Sequence, residues 1–146
     1  MRTSDGQPVR LSDYRAPDYV IDHVELDVSL DIHATRVIST LSLRPNPAGR
    51  ERAALSLDGD ELVFTSARLD DEPLDAADFE ASQSAFLLPR PPRRAFKLRI
   101  ETRLDPAANT KLMGLYRTGS AYCTQCEAEG FRRITYYHDR PDVLST

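Results

Sequence analysis

The chain has 146 residues, enough for one domain or part of a larger protein. Its composition, 40% hydrophobic and 29% charged, is that of a globular protein and excludes a disordered one. A net charge of −4 argues against general nucleic-acid binding.

Residues 1 to about 12 are polar and aperiodic, and the reading for 1–12 is a loose leader before a domain over 13–146. The N-terminus carries no apolar run of the signal-peptide kind. No segment approaches the ~18 continuous apolar residues of a membrane span. Two cysteines do not make a disulfide scaffold, so the expected compartment is a reducing cytoplasm.

Tyr14-Arg15-Ala16-Pro17-Asp18-Tyr19 reads as a turn, with Ala16 biased to extended geometry by Pro17. From Val20 the period becomes two. Val20, Val24, Leu26, Val28, Leu30 and Ile32 fall on one side, and Ile21, His23, Glu25, Asp27, Ser29 and Asp31 on the other. This predicts a strand with one buried and one solvated face. Val37 to Leu43 alternates again and is expected to pair antiparallel with the first strand, closed by Pro45-Asn46-Pro47-Ala48-Gly49. Leu55 and Leu57, Leu62 to Leu69, and Ala85 to Leu88 predict short strands, each stopped by turn residues. Phe96, Leu98, Ile100, Thr102 and Leu104 alternate with Lys97, Arg99, Glu101 and Arg103 in a clear strand. Leu112 to Arg117 and Ala121 to Gln125 predict a hairpin around Thr118-Gly119-Ser120. The fold class is therefore all-β, an antiparallel sandwich or saddle-shaped sheet.

Two charge runs stand out. Arg90, Arg93, Arg94, Lys97, Arg99 and Arg103 are basic; Asp70, Asp71, Glu72, Asp75, Asp78 and Glu80 are acidic. They are expected to be solvated and to neutralise each other rather than to form ion sites.

The densest chemistry lies in Cys123 to Pro141. Cys123-x-x-Cys126 supplies only half of a structural zinc site, which needs four ligands. His23, His33 and His138 offer no spaced pair to complete it. A redox CxxC belongs in a strand-to-helix setting that this pattern lacks. The expected role of the thiols is to be small, mostly buried side chains flanking a strand. Glu127 and Glu129 lie beside Gln125, Arg132 and Arg133. They either form local salt bridges or, with the Gln125 amide, face a cationic ligand such as an ammonium; the residues alone leave both open. HExxH, GxSxG, P-loop and GxGxxG motifs are all absent from the sequence.

Tyr14 to Tyr19, Pro106 to Thr110, Gly114-Leu115-Tyr116 and Cys123 through Leu144 resemble the N-terminal β domain of the bacterial aminopeptidase N family. These are zinc-dependent alanyl aminopeptidases of the gluzincin class. The early strands match mainly in pattern. The block from Pro106 matches almost residue for residue, and Thr124 to Arg132 is its most specific run.

The resemblance implies that the chain lends one wall to the active site of a thermolysin-like catalytic domain on the same parent polypeptide. Glu127 would bind the free α-amino group of a peptide substrate, and Gln125 would line the pocket for the first side chain. In the family the cysteines of this run are not zinc ligands. The zinc ligands lie beyond Thr146, so no metal-binding or catalytic residue is expected here and the chain alone is expected to be inactive. Further strands follow this point in the family, so the resemblance also implies a domain incomplete at its C-terminal end. An open sheet edge and an uncovered apolar patch are then expected, and with them self-association. The rival reading is a stand-alone β-sandwich interaction module that meets a separate partner through Phe131, Ile134, Tyr136 and Tyr137. A metal-binding or redox CxxC protein is a third.

Overall fold

A computed structural model of the chain describes residues 10–146. The leader predicted for residues 1 to 12 falls mostly outside them; Leu11–Asp13 forms an exposed 3-10 turn.

The strands are β1 (Tyr19–Ser29), β2 (Thr35–Pro45), β3 (Leu55–Asp58), β4 (Val63–Leu69), β5 (Glu72–Pro73), β6 (Glu80–Ala81), β7 (Ala85–Leu88), β8 (Phe96–Leu104), β9 (Gly114–Thr118) and β10 (Ala121–Gln125). They form a five-stranded sheet in the order β1-β2-β8-β4-β5, a three-stranded sheet β3-β7-β6, and the β9-β10 hairpin. Every pair of named strands is antiparallel, as the alternation predicts. Among the described residues the only helical elements are Leu11–Asp13 and a second 3-10 turn at Phe131–Arg133.

β8 is the axis of the large sheet because its alternation is unbroken. Phe96, Leu98, Ile100, Thr102 and Leu104 are all buried, and Lys97, Arg99 and Arg103 are exposed. The two sheets share one core. Phe64 of β4, Phe79, Phe86 of β7 and Tyr136 form a chain of rings with centroids 5.2, 5.3 and 5.8 Å apart. Phe86 is fully buried, a burial that stabilises by about 1.5–3 kcal/mol.

The first strand departs from its simple alternation. Its pairing shifts between Ile21 and His23, a bulge that inserts one residue. Tyr19 and Ile21 therefore face the core before the bulge, and Val24, Leu26 and Val28 share that face after it. Ile21, expected on the solvated side, is completely buried. Leu26 and Val28, expected to be covered, remain exposed.

The charge runs do meet in part. Arg94 pairs with Asp70 at 2.7 Å and Arg90 with Asp78 at 3.6 Å. Arg94, Arg90 and Asp78 are largely solvated and Asp70 is partly so, and such surface pairs add little stability.

After the hairpin the chain returns through the core. Asp58 and Tyr137 exchange two backbone hydrogen bonds at 2.8 and 3.0 Å. The Thr135 hydroxyl donates to Ser39 Oγ of β2 at 2.7 Å, fully buried. Further on, the Tyr14 hydroxyl donates to Asp142 at 2.9 Å, tying the last residues to the entry turn.

Candidate functional site

The β9-β10 hairpin closes on the two-residue loop Gly119-Ser120, with Ala121 opposite Thr118 and Gln125 opposite Gly114. Gln125 is thus the last paired residue, and Cys126 through Gly130 turn away from the sheet. The turn is held by Gly130 N–H donating to the Cys126 carbonyl at 2.8 Å. Its peptide bond Glu127–Ala128 is cis. Gly130 sits so close that a Cβ there would come within 2.9 Å of Cys126 Cα.

Two arginines fix this turn to the rest of the domain. The Arg133 guanidinium is buried and donates to Asp60 at 2.8 Å and to Glu61, while its Nε donates to the Met113 carbonyl at 3.1 Å. Burial alone would lower the Arg133 pKa, but hydrogen bonds to Glu61 and Asp60 hold it raised. Arg132 donates to Asp139 at 2.9 Å and to Glu129 at 2.7 Å. Asn109 completes the support: its amide donates to the carbonyls of Met113 and Leu115 at 2.8 and 2.9 Å and so anchors the start of β9. Asp60 and Glu61 lie some seventy positions upstream, in the β3–β4 turn, and no local pattern connects them to Arg133. Glu61 itself has a left-handed backbone, φ 59°.

The structure separates the two carboxylates by their contacts within the chain. Glu129 is taken by Arg132. Glu127 is exposed and, among the described residues, its side chain makes neither an ion pair nor a hydrogen bond within the chain. Gln125 is also exposed and its amide also lacks a partner among the described residues. Both stand on open surface. The larger hollows lie elsewhere, one of about 540 Å³ around Tyr19, Arg50 and Pro89 and one of about 720 Å³ beside His138 and Arg140.

Cys123 and Cys126 are unbridged and half-buried, somewhat less covered than expected. Burial, then the nearby Asp139 charge, pushes the Cys126 thiol up, away from the thiolate that redox chemistry needs. Among the described residues no three His, Cys, Asp or Glu side chains cluster so as to hold a metal ion. No described helix is long and apolar enough to cross a membrane.

Phe131, Ile134, Tyr136 and Tyr137 are not presented to a partner in the way the interaction-module reading expects. Ile134, Tyr136 and Tyr137 are buried in the domain's own core, and Phe131 packs edge-on against Tyr137 at 5.0 Å. Tyr136 donates to the Ser82 carbonyl at 2.6 Å, and burial pushes its pKa up to about 12. Periodicity could not show this, because the segment is neither strand nor regular helix and packs through single residues.

Fold and site define an all-β domain that displays, at the end of a hairpin braced by the buried Arg133 and the half-buried Arg132, a carboxylate and an amide without a partner among the described residues. The chain belongs to the Peptidase M1 N-terminal domain family, whose description matches residues 19–146. It is 45% identical to aminopeptidase N of Escherichia coli (strain K12) over 133 residues, 91% of this chain and 15% of that protein. It is 43% identical to aminopeptidase N of Caulobacter vibrioides over 145 residues, 99% of this chain and 16% of that protein. Among solved structures, Legionella pneumophila aminopeptidase A in complex with aspartic acid superposes with a TM-score of 0.84 at 30% identity, over 94% of this chain and 16% of that one. An M1 zinc metallopeptidase from Deinococcus radiodurans shares the fold, with a TM-score of 0.70 at 17% identity over 88% of this chain and 31% of that one. The chain spans about one sixth of the length of the curated relatives it matches.

Proposed function

We propose that this chain is the amine-recognising N-terminal part of a zinc-dependent aminopeptidase that removes N-terminal residues from peptides in the cytoplasm. Glu127 receives the free α-amino group of the substrate, and Gln125 lines the pocket for the first side chain. Together they form one wall of an active site whose other walls, and whose zinc, belong to a catalytic domain on the same parent polypeptide. Among the described residues no cluster of His, Cys, Asp or Glu side chains fits a zinc site, so no step through the metal is assigned to them.

The observation that carries this reading is the unpaired Glu127 carboxylate on a braced turn whose other charged groups, Glu129, Arg132, Arg133 and Asp139, are all paired. A peptide α-amino group has a pKa of about 8 and is largely cationic at neutral pH. A fixed carboxylate holds it by a charge-assisted hydrogen bond of about 1.5–3 kcal/mol. An internal amide carries no such charge, so the same contact favours exopeptidase action.

In a full-length, zinc-loaded parent enzyme, Glu127→Gln is expected to lower kcat/KM for free-amine peptides by about ten-fold or more. An unchanged value removes Glu127 from the role. The 146-residue chain with added zinc is expected to leave an alanine-coupled chromogenic amide intact. Metal-dependent turnover by it would overturn the division of labour.

A further inference from the structure

The hollow of about 540 Å³ beside Tyr19 lies at the end of the large sheet where β1 and β8 begin. Tyr19 opens β1, Pro45 ends β2, and Pro89 to Arg93 lead into β8. The brace of the hairpin, Arg133 with Asp60 and Glu61, packs beside Leu104 at the other end of β8. The hollow is therefore separate from the site of Gln125 and Glu127.

Its walls are fixed. The Tyr19 hydroxyl donates to the Ala53 carbonyl at 2.9 Å and so closes the floor. The Asn46 amide donates to the Pro17 carbonyl at 2.6 Å, and the Arg50 N–H donates to the Asp18 carboxylate at 2.7 Å. Gly49 packs so tightly on this corner that a Cβ there would come within 2.6 Å of Asp18 Cα. Proline rings form much of the remaining wall and bring little freedom to lose. A preformed, mainly apolar hollow of this size falls in the range of small-ligand sites, about 300–1,000 Å³.

The charge at the rim is one-sided. Four arginines, Arg50, Arg52, Arg90 and Arg93, line the hollow against two carboxylates, Asp18 and Glu51, on a chain whose net charge is −4. Arg90 and Arg93 belong to the basic run of the sequence. Arg93 meets Glu51 in a pair that is largely solvated on both sides, and Arg90 reaches only Asp78, at 3.6 Å. Arg52 makes no ion pair among the described residues, and its backbone is left-handed, φ 58°. Side chains held in that region by their surroundings collect at ligand sites.

We infer that this hollow binds a small aryl phosphate monoester, with its rings against Tyr19 and the prolines and its phosphate among Arg50, Arg52 and Arg93. A neutral ligand would leave the rim charge unused, and a carboxylate would do no more than exchange with Glu51. A phosphate monoester carries a charge of about −1.5 to −2 at pH 7 and offers three acceptor oxygens to the guanidinium forks, so it gains over the internal carboxylate. A phosphotyrosine side chain presents the same group, but the hollow encloses a two-ring ester whole, so the ligand is a free molecule.

The chain has no tryptophan, so naphthalene fluorescence is read without protein overlap. Fluorescence polarisation is expected to show 2-naphthyl phosphate binding at least about ten-fold more tightly than either neutral 2-methoxynaphthalene or, by competition, inorganic phosphate. Arg52→Gln and Arg93→Gln, both at exposed positions, should each weaken the ester about five- to ten-fold at an unchanged melting temperature. Arg103→Gln, at the far end of β8, should leave it unchanged. Equal affinity for the ester and the ether, or for the ester and inorganic phosphate, overturns the proposal. So does no saturation below about 1 mM ester, or an affinity that neither rim variant alters. Tighter binding of a capped phosphotyrosine peptide than of the ester also overturns it, and assigns the hollow to a polypeptide.

Discussion

Glu129 ends 2.7 Å from an Arg132 nitrogen, while Glu127, two positions earlier, points to solvent with no partner among the described residues. The difference follows from the turn. Arg132 is held from the other side by Asp139, so its guanidinium is fixed within reach of position 129. A second residue-scale feature is Thr102 on β8. It is completely buried on the core face, opposite Val37, and its hydroxyl has no hydrogen-bond partner. A buried, unpaired hydroxyl costs about 1–3 kcal/mol of desolvation. Thr102→Val keeps the branched shape and removes that cost. It is expected to stabilise the domain by about 1 kcal/mol, read as a higher denaturant midpoint with unchanged slope. A lower midpoint would mean that the hydroxyl is paired in solution.

At the scale of elements, the hairpin depends on one close approach. Gly114 has φ +73°, and a Cβ there would lie 2.5 Å from Arg133 Cβ. Gly119, in the hairpin loop, has φ +57° but open space around it. Alanine at either position meets the left-handed penalty of about 1–2 kcal/mol. Only Gly114→Ala also pushes the buried Arg133 away from Asp60 and Glu61. Chemical denaturation should therefore show Gly114→Ala to be the more damaging, by about 1 kcal/mol or more. Equal losses would mean that Arg133 moves aside freely.

The same scale shows what was readable beforehand. β8 follows an unbroken period of two, so the sequence predicts both its extent and its buried face, whereas β2 runs further than Val37 to Leu43 and also buries Ile38, and the first arm of the hairpin is Gly114–Thr118 rather than Leu112 to Arg117. β1 misleads because the bulge at Ile21/His23 changes which residues face inward, and alternation carries no mark of an inserted residue. The two-residue strands β5 and β6 are too short to show any period. Gln125 and Glu127 were legible as a polar pair at a strand end. That Glu129 is spent on Arg132 and that Asp60 and Glu61 brace Arg133 was not, because those contacts depend on which turns the fold brings together.

For the molecule as a whole, acid should act in two stages. His138 is largely enclosed, its Nε2 is buried without a partner, and burial lowers its pKa below the ordinary 6.5. The unfolded chain therefore takes up this proton before the folded one does. The associated stability is present above 6.5 and is lost as pH falls from there towards the folded value. A second set of groups are carboxylates held below their ordinary values. Asp18 is lowered by hydrogen bonds from Arg50, Glu61 by Lys111 and Arg133, Asp70 by the Lys97 amide and Arg94, and Asp105 by the Ala108 amide. Their contribution is fully present above the ordinary values of 4.5 for Glu61 and 3.8 for the aspartates, and is lost as pH falls through the lower folded values. Melting temperature is thus expected to decline gently below pH 6.5 and steeply below pH 4.5. His138→Phe should flatten the upper decline and leave the lower one. About 1 M salt should weaken the part of the lower stage carried by solvated ion pairs such as Lys111–Glu61, because the screening length falls to about 3 Å. A variant that keeps the full decline between pH 6.5 and 5 would show that this proton is taken up elsewhere.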